Sequence, residues 1–148
     1  MANIQHTTYM KVTTEKVYEA ISTEEGWNAW FTDETSIKWN QDGSGEIKLR
    51  WTSFGMKNEI IEDGGPILDS KQNEYFIFQW KPGESVTTVT FYLTTYKDGT
   101  LVRLIEEGYS QSNLDQIACL RCASGWGEAL MMLKMYLEHG IVCKDDIV

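Results

Sequence analysis

Positive charge is scarce in this chain. Thirteen lysines and arginines stand against twenty-two acidic residues, a net charge of −9 at pH 7, which repels phosphate backbones and anionic lipid surfaces. No run of Lys and Arg offsets that charge locally, so nucleic acid is not expected as a partner. No apolar run approaches the length of a membrane span, and the opening MANIQHTTYMKV holds no apolar leader segment. Membrane insertion and export are therefore not indicated, and a cytoplasmic protein is expected. Cysteine is sparse too: three residues, an odd number, fit a reducing compartment better than a disulfide framework. Cys119 and Cys122 in CLRC, with His139 and Cys143 beyond them, have the residue types of a zinc tetrad. On one helix from about Asn113 to His139, however, the two pairs stand about 25–30 Å apart at 1.5 Å per residue, too far to share an ion. No metal site is expected, and these cysteines read as buried or idle. Histidine is limited to His6, near the start of the first strand, and His139, at the end of the last helix, both read as solvated surface groups. No Ser-His-Asp set, phosphate-binding loop or dinucleotide-binding glycine pattern is present, so no catalytic residue is assigned and no cofactor is implied.

Two prolines, no low-complexity tract and 42% hydrophobic residues describe a folded globule with few long irregular loops. At 148 residues the chain reads as one domain, residues 1–148, large enough to bury roughly 68–70% of its unfolded surface. A first strand is predicted at about Ile4 to Val12. TTEKVYEAIS then offers a Thr cap and an apolar face of Val17, Ala20 and Ile21. In EEGWNAWFTDE, the helical turn of about 100° per residue puts Trp27, Trp30 and Phe31 on one side. Ser22 stands three residues before Glu25, the capping-box spacing, so this second helix is predicted to start at Ser22 or Thr23. From there to about residue 109 the apolar period becomes two. GEIKLRW sets Ile47, Leu49 and Trp51 on one face, EYFIFQW does so for Phe76, Phe78 and Trp80, and VTFYLTTY for Val89, Phe91 and Leu93. Turn signals at QDGSG, EDGGP, KPGE and KDGT join these runs into an antiparallel meander. The closing helix repeats Trp126, Leu130, Leu133 and Leu137, with Ala129, Met132 and Tyr136 widening the stripe. Gly125 and Gly127 each cost about 1 kcal/mol against Ala inside a helix, so a kink or short break near Trp126 is predicted.

The order of these marks carries a resemblance: EEGWNAWFTDE early, GSGEIKLRW on the third strand, FIFQW in the middle, GTLVRLIEEGY on the last strand and GWGEALMMLKMYL in the closing helix. The sequence resembles the single-domain bacterial proteins of the Hsp90-ATPase-activator-homologue (AHSA1-like) family, within the START-like, Bet v 1-like (SRPBCC) superfamily. The resemblance implies an α+β helix-grip fold, in which a strongly bent antiparallel sheet of 6–7 strands wraps a long C-terminal helix. Two short helices after the first strand close the open end of the sheet, and a cavity commonly lies between sheet and long helix. Trp27, Trp30 and Phe31 would then help to close that end, or serve as core filler for a strongly curved sheet.

Three functions follow as expectations. The first is an intracellular protein that holds a small, mostly apolar molecule, lipid-, polyketide- or flavonoid-like. Its cavity would be lined by the inward sets above together with Val102, Leu104, Trp126, Leu130 and Leu133. Alternation along TLVRLIEEGY puts Glu106 on the same face as Val102 and Leu104, whereas Arg103, Ile105 and Glu107 point the other way. Glu106 is the candidate orienting group, and a carboxylate there is costly unless something pairs with it; a bulge before Gly108 would instead turn it to solvent. The second is an enzyme, since superfamily relatives cyclise or dehydrate polyketide-like compounds in the same cavity, with Glu106 the sole acid or base on offer. The third is a protein-interaction role, through a homodimer or a protein partner. Met131 and Met135 project among Glu128, Lys134 and Glu138 and offer an adaptable surface. The eukaryotic co-chaperones resemble this chain only in their C-terminal domain, so ATPase stimulation is not inferred.

Overall fold

A computed structural model describes residues 3–146. Strand β1 (Ile4–Met10) leads into helix α1 (Thr14–Ser22) and helix α2 (Glu24–Trp30). Strands β2 (Glu34–Trp39), β3 (Gly45–Phe54), β4 (Glu59–Lys71), β5 (Tyr75–Trp80), β6 (Thr87–Tyr96) and β7 (Gly99–Glu107) follow, and helix α3 (Asn113–His139) and a 3-10 turn at Lys144–Asp146 close the chain. The strands form one antiparallel sheet in the order β1-β7-β6-β5-β4-β3-β2, so β2 to β7 are a meander and β1 returns to pair with β7. Bulges between Trp51 and Phe54 and between Ile67 and Asp69 break the registers of β3 with β4 and of β4 with β5, which bends strands and deepens their twist.

One sheet face, the inner faces of α1 and α2, and the stripe of α3 share a single core. The period-two reading holds along β3, β5, β6 and β7: Ile47, Leu49, Phe76, Phe78, Val89, Phe91, Leu93, Val102 and Leu104 are all buried. On α3, Trp126, Ala129, Leu130, Met132 and Leu133 are buried.

Of the two starts expected for α2 the structure takes Thr23, and two other local expectations need correction. Helix α2 is capped by Thr23, whose hydroxyl accepts from Gly26 N at 2.9 Å, while Ser22 Oγ donates to Tyr18 O at 2.6 Å and belongs to α1. Gly26 lets the two helices meet, since a Cβ there would lie 2.6 Å from Glu19 O. Helix α3 runs unbroken from Asn113 to His139. Its glycines leave the ladder of backbone hydrogen bonds intact, and Gly127 admits the ring of His6, which a Cβ would meet at 3.2 Å. His6 is accordingly not a solvated group: it is half-buried, with Nε2 2.9 Å from Ala123 O, and it ties β1 to α3. Further along the same seam Lys134 Nζ donates to Tyr9 O and to Glu138, whose carboxylate also accepts from Lys11 N at 2.9 Å. At Lys134 and Glu138 the polar side of α3 is thus a clasp on β1, while Glu128 and Met131 stay exposed.

Candidate functional site

Glu106 is fully buried, on the inward face of β7 as its parity requires, whereas Glu107 is exposed. Four side chains donate to its carboxylate. Trp80 Nε1 (2.8 Å), Thr87 Oγ1 (2.6 Å) and Tyr109 Oη (2.9 Å) reach Oε2, and Trp126 Nε1 (2.9 Å) reaches Oε1. The sheet register brings two of these donors, Trp80 and Thr87, to Glu106. Trp80 pairs with Thr87 across β5 and β6, and Val89, two residues after Thr87, pairs with Glu106. Tyr109 returns because Gly108 turns the chain at φ +116, a conformation that L side chains rarely adopt. Burial, then contact with Cys122 and the charge of Glu106, push the Tyr109 phenol above its ordinary value and keep it a donor. A charge removed from water needs such partners, and hydrogen bonds to ionised groups are the stronger kind.

Above this buried carboxylate lies a groove. Trp80 and Trp126, whose ring centroids are 5.4 Å apart, form part of its floor. Phe31, Trp51, Phe54 and Ile61 wall it on the side of β3 and β4, and Cys122 and Gly125 on the side of α3, enclosing about 330 Å³. A second hollow of about 670 Å³ shares Phe31, Trp51, Phe54 and Gly125 and continues along α3 past Glu128, Ala129 and Met132 to Lys144. Trp51 is set by its Nε1–H, which donates to Phe31 O at 3.0 Å, and its ring meets that of Phe31 edge-on at 5.1 Å. Gly125 is open: nothing lies within 4 Å of where its Cβ would be. Burial pushes the Cys122 thiol up to about 11, so it remains a thiol near neutrality.

Two carboxylates fix the loop at Lys81–Val86 that borders the groove. Asp63 accepts from Lys81 N at 2.9 Å and from Gly64 N at 2.8 Å, and desolvation raises its carboxyl above the ordinary value. Asp115, buried at the start of α3, accepts from Glu84 N, Ser85 N and Ser110 N. Hydrogen bonds from Ser85, then Ser110 and Glu84, hold it well below the usual carboxylate range.

Of the residues expected to line a cavity, Trp51, Trp80 and Trp126 border the groove. Ile47, Leu49, Phe76, Phe78, Val89, Phe91, Leu93, Val102, Leu104, Leu130 and Leu133 lie in the closed core. Glu106 has no exposed surface and meets the groove only through the two indoles it holds, which makes it a positioning residue. Phe54, Ile61 and Gly125 were not foreseen as lining, nor Thr87 and Tyr109 as partners of Glu106. Thr87 shares the parity of Val89, and Tyr109 stands three residues past Glu106; those were the only signals available. Among the described residues no three His, Cys, Asp or Glu side chains gather as metal ligands, and no helix is long and apolar enough to cross a membrane.

One antiparallel sheet closed on a long C-terminal helix, with two short helices after the first strand, is the helix-grip, Bet v 1-like architecture. The family model described as Activator of Hsp90 ATPase homolog 1-like protein matches residues 11–138, and the chain belongs to that family. A search of curated proteins finds no match. Among solved structures, the chain is similar to the protein SSP2350 from Staphylococcus saprophyticus, with 24% identity, a TM-score of 0.71, and 94% of this chain and 93% of that one covered. It is similar also to the Aha1 dimer from Colwellia psychrerythraea, at 25% identity and a TM-score of 0.72 over 93% and 96% of the two chains. The di-domain ARO/CYC StfQ from the steffimycin biosynthetic pathway shares the fold, with a TM-score of 0.73 at 6% identity, over 93% of this chain and 51% of that one.

Proposed function

We propose that the chain binds a small, mostly apolar molecule, lipid-, polyketide- or flavonoid-like, in the groove between the β3–β4 hairpin and α3. The observation that carries this reading is Gly125. A glycine in the middle of a 27-residue helix costs stability, and here its missing side chain leaves open space in front of five aromatic residues, Phe31, Trp51, Phe54, Trp80 and Trp126. An apolar, aromatic lining with few polar groups is the usual make-up of a small-molecule site. Biosynthetic proteins of this fold such as StfQ support a small-molecule role. Proton transfer from Glu106 to a molecule in the groove would require Trp80 or Trp126 to move aside, so a carrier fits the geometry better than an acid–base enzyme. The dimeric Colwellia relative supports self-association as well, for which Met131, exposed on α3 beside half-buried Met135, offers a surface.

Gly125→Leu tests the groove. Leucine is a good helix former and would project into open space, so the variant should melt at or above the temperature of the parent while losing the response to ligand. Tryptophan emission and melting temperature are followed during titration with flavonoid-like and fatty-acid-like compounds. Equal responses from parent and variant would place the binding site elsewhere.

A further inference from the structure

The sequence separates Lys81 and Arg121 widely, one after β5 and the other on α3, yet both border the aromatic groove. Among the described residues neither side chain enters an ion pair or a hydrogen bond; the same is true of Lys16, Lys38 and Lys57, but among the described residues lining the groove Lys81 and Arg121 are the only cations. The acidic neighbours at the same rim are already engaged. Glu62 pairs with Lys48 and Arg50, at 3.9 and 3.2 Å. Asp63 is turned to the backbone N–H groups of Gly64 and Lys81, and its burial raises its carboxyl above the ordinary value. Arg121 stands one helical turn before Gly125, hence on the same face of α3 and over the opening that Gly125 leaves. The backbone of Lys81 is fixed by its bond to Asp63. Two unpartnered cations thus overhang an apolar, aromatic floor in a chain whose net charge is −9.

We propose that the groove selects aromatic anions, with Lys81 and Arg121 as the specificity-determining residues that receive a carboxylate, sulfonate or phenolate while the ring system lies on Trp51, Trp80 and Trp126. This rests on the binding function proposed above and adds the chemical class of the ligand. Negative charges remote from the groove are screened beyond about 8–10 Å at ordinary ionic strength. Of those beside it, Glu62 is paired with Lys48 and Arg50, and Asp63 and Glu106 are turned to N–H and O–H donors, which leaves the two rim cations to meet an incoming anion. Arginine also presents a planar fork that matches a carboxylate or sulfonate and stacks on aromatic faces.

The probes are 8-anilinonaphthalene-1-sulfonate and its uncharged counterpart N-phenyl-1-naphthylamine, which share one ring system and differ by the sulfonate. Their fluorescence is titrated with the parent, Lys81→Gln, Arg121→Gln, the double variant and Gly125→Leu. All three substituted positions are exposed, and melting curves confirm folding. In the double variant the Kd of the sulfonate should rise about tenfold, the combined worth of two partly exposed charge pairs, while that of the neutral probe stays within about twofold. Raising the salt should weaken sulfonate binding to the parent and leave the double variant nearly unaffected. If the double variant binds both probes as the parent does, and Gly125→Leu still abolishes both, the anion preference is overturned while the groove stands. Should Gly125→Leu bind both probes normally, the groove and its rim fall together.

Discussion

Two pairs of tryptophans face each other across this core, and the fate of their indole N–H groups separates a closed region from an open one. Trp27 and Trp30 are stacked at 5.2 Å, fully buried, and donate to the main-chain carbonyls of Ile21 (2.8 Å) and Ala20 (2.9 Å). Those carbonyls lie in the last turn of α1, where a helix runs out of its own donors. The indoles therefore finish one helix with the side chains of the next, and their rings pack on each other, on Phe31, which stacks on Trp30 at 5.0 Å, and on Phe78 and Phe91, each 6.2 Å from Trp27. Trp80 and Trp126 donate instead to a side chain, the carboxylate of Glu106. Holding the ring edges from beneath leaves part of the faces to the groove. The same residue type fills at one end of the sheet and lines at the other, and the difference lies in what receives its hydrogen.

The closed end should suffer more from truncation. Trp30→Ala removes a fully buried ring and leaves the Ala20 carbonyl unpaired, so a loss of about 3–5 kcal/mol is expected. Trp80→Ala deletes a ring that already borders the groove, and although Glu106 Oε2 loses that donor it keeps Thr87 and Tyr109, so the variant should cost less. Urea unfolding of the two variants decides it; coincident midpoints would erase the distinction between filling and lining.

Glu106→Gln attacks the open end from below. The amide offers one acceptor oxygen and two N–H donors where the carboxylate offers two acceptors, so in either orientation an –NH₂ faces at least one donor. A cost of about 1–3 kcal/mol is expected from the disrupted bonds, with the emission of Trp80 and Trp126 altered as their anchor loosens. Glu107→Gln, on the exposed face, should leave both readouts unchanged. Were the two variants alike in urea, Glu106 would not be what fixes the indoles.

The contrast between the ends also explains what could be read from the chain alone. Strict alternation made β3, β5, β6 and β7 legible, and with them the inward turn of Glu106. Strand β4 was not: along its thirteen residues only Ile67 is buried, so it has almost no period to detect. The same holds for β2, where Thr35 alone is buried. The shared burial of Trp27 and Trp30 was visible in the spacing of EEGWNAWF, because a helix face is a local property. The groove was not visible. It is made from the tip of one hairpin, the loop after β5 and the middle of α3, and its opening depends on a glycine that local rules mark only as a point of weakness. His6 was misread and the clasp made by Lys134 missed for a related reason, since their partners stand 117 and 125 residues away in the chain.

That glycine supplies the finest test of the comparison. Gly125 and Gly127 sit in the same helix, two residues apart, and helix propensity alone grants each about 1 kcal/mol on replacement by alanine. Their surroundings differ. At Gly125 the new methyl enters open groove and meets nothing, so Gly125→Ala should gain close to the full amount. At Gly127 the methyl would stand 3.2 Å from Cε1 and 3.7 Å from Nε2 of His6, a contact tighter than most methyl groups tolerate. Relieving it means pushing aside a ring whose Nε2 is bonded to Ala123 O. Gly127→Ala should therefore gain less or lose outright. Repeating it in a His6→Ala background removes the obstacle, and there the gain should return toward that of Gly125→Ala, a coupling that a double-mutant cycle isolates. Equal gains at both positions in the parent would show that the seam between β1 and α3 yields as easily as the empty groove.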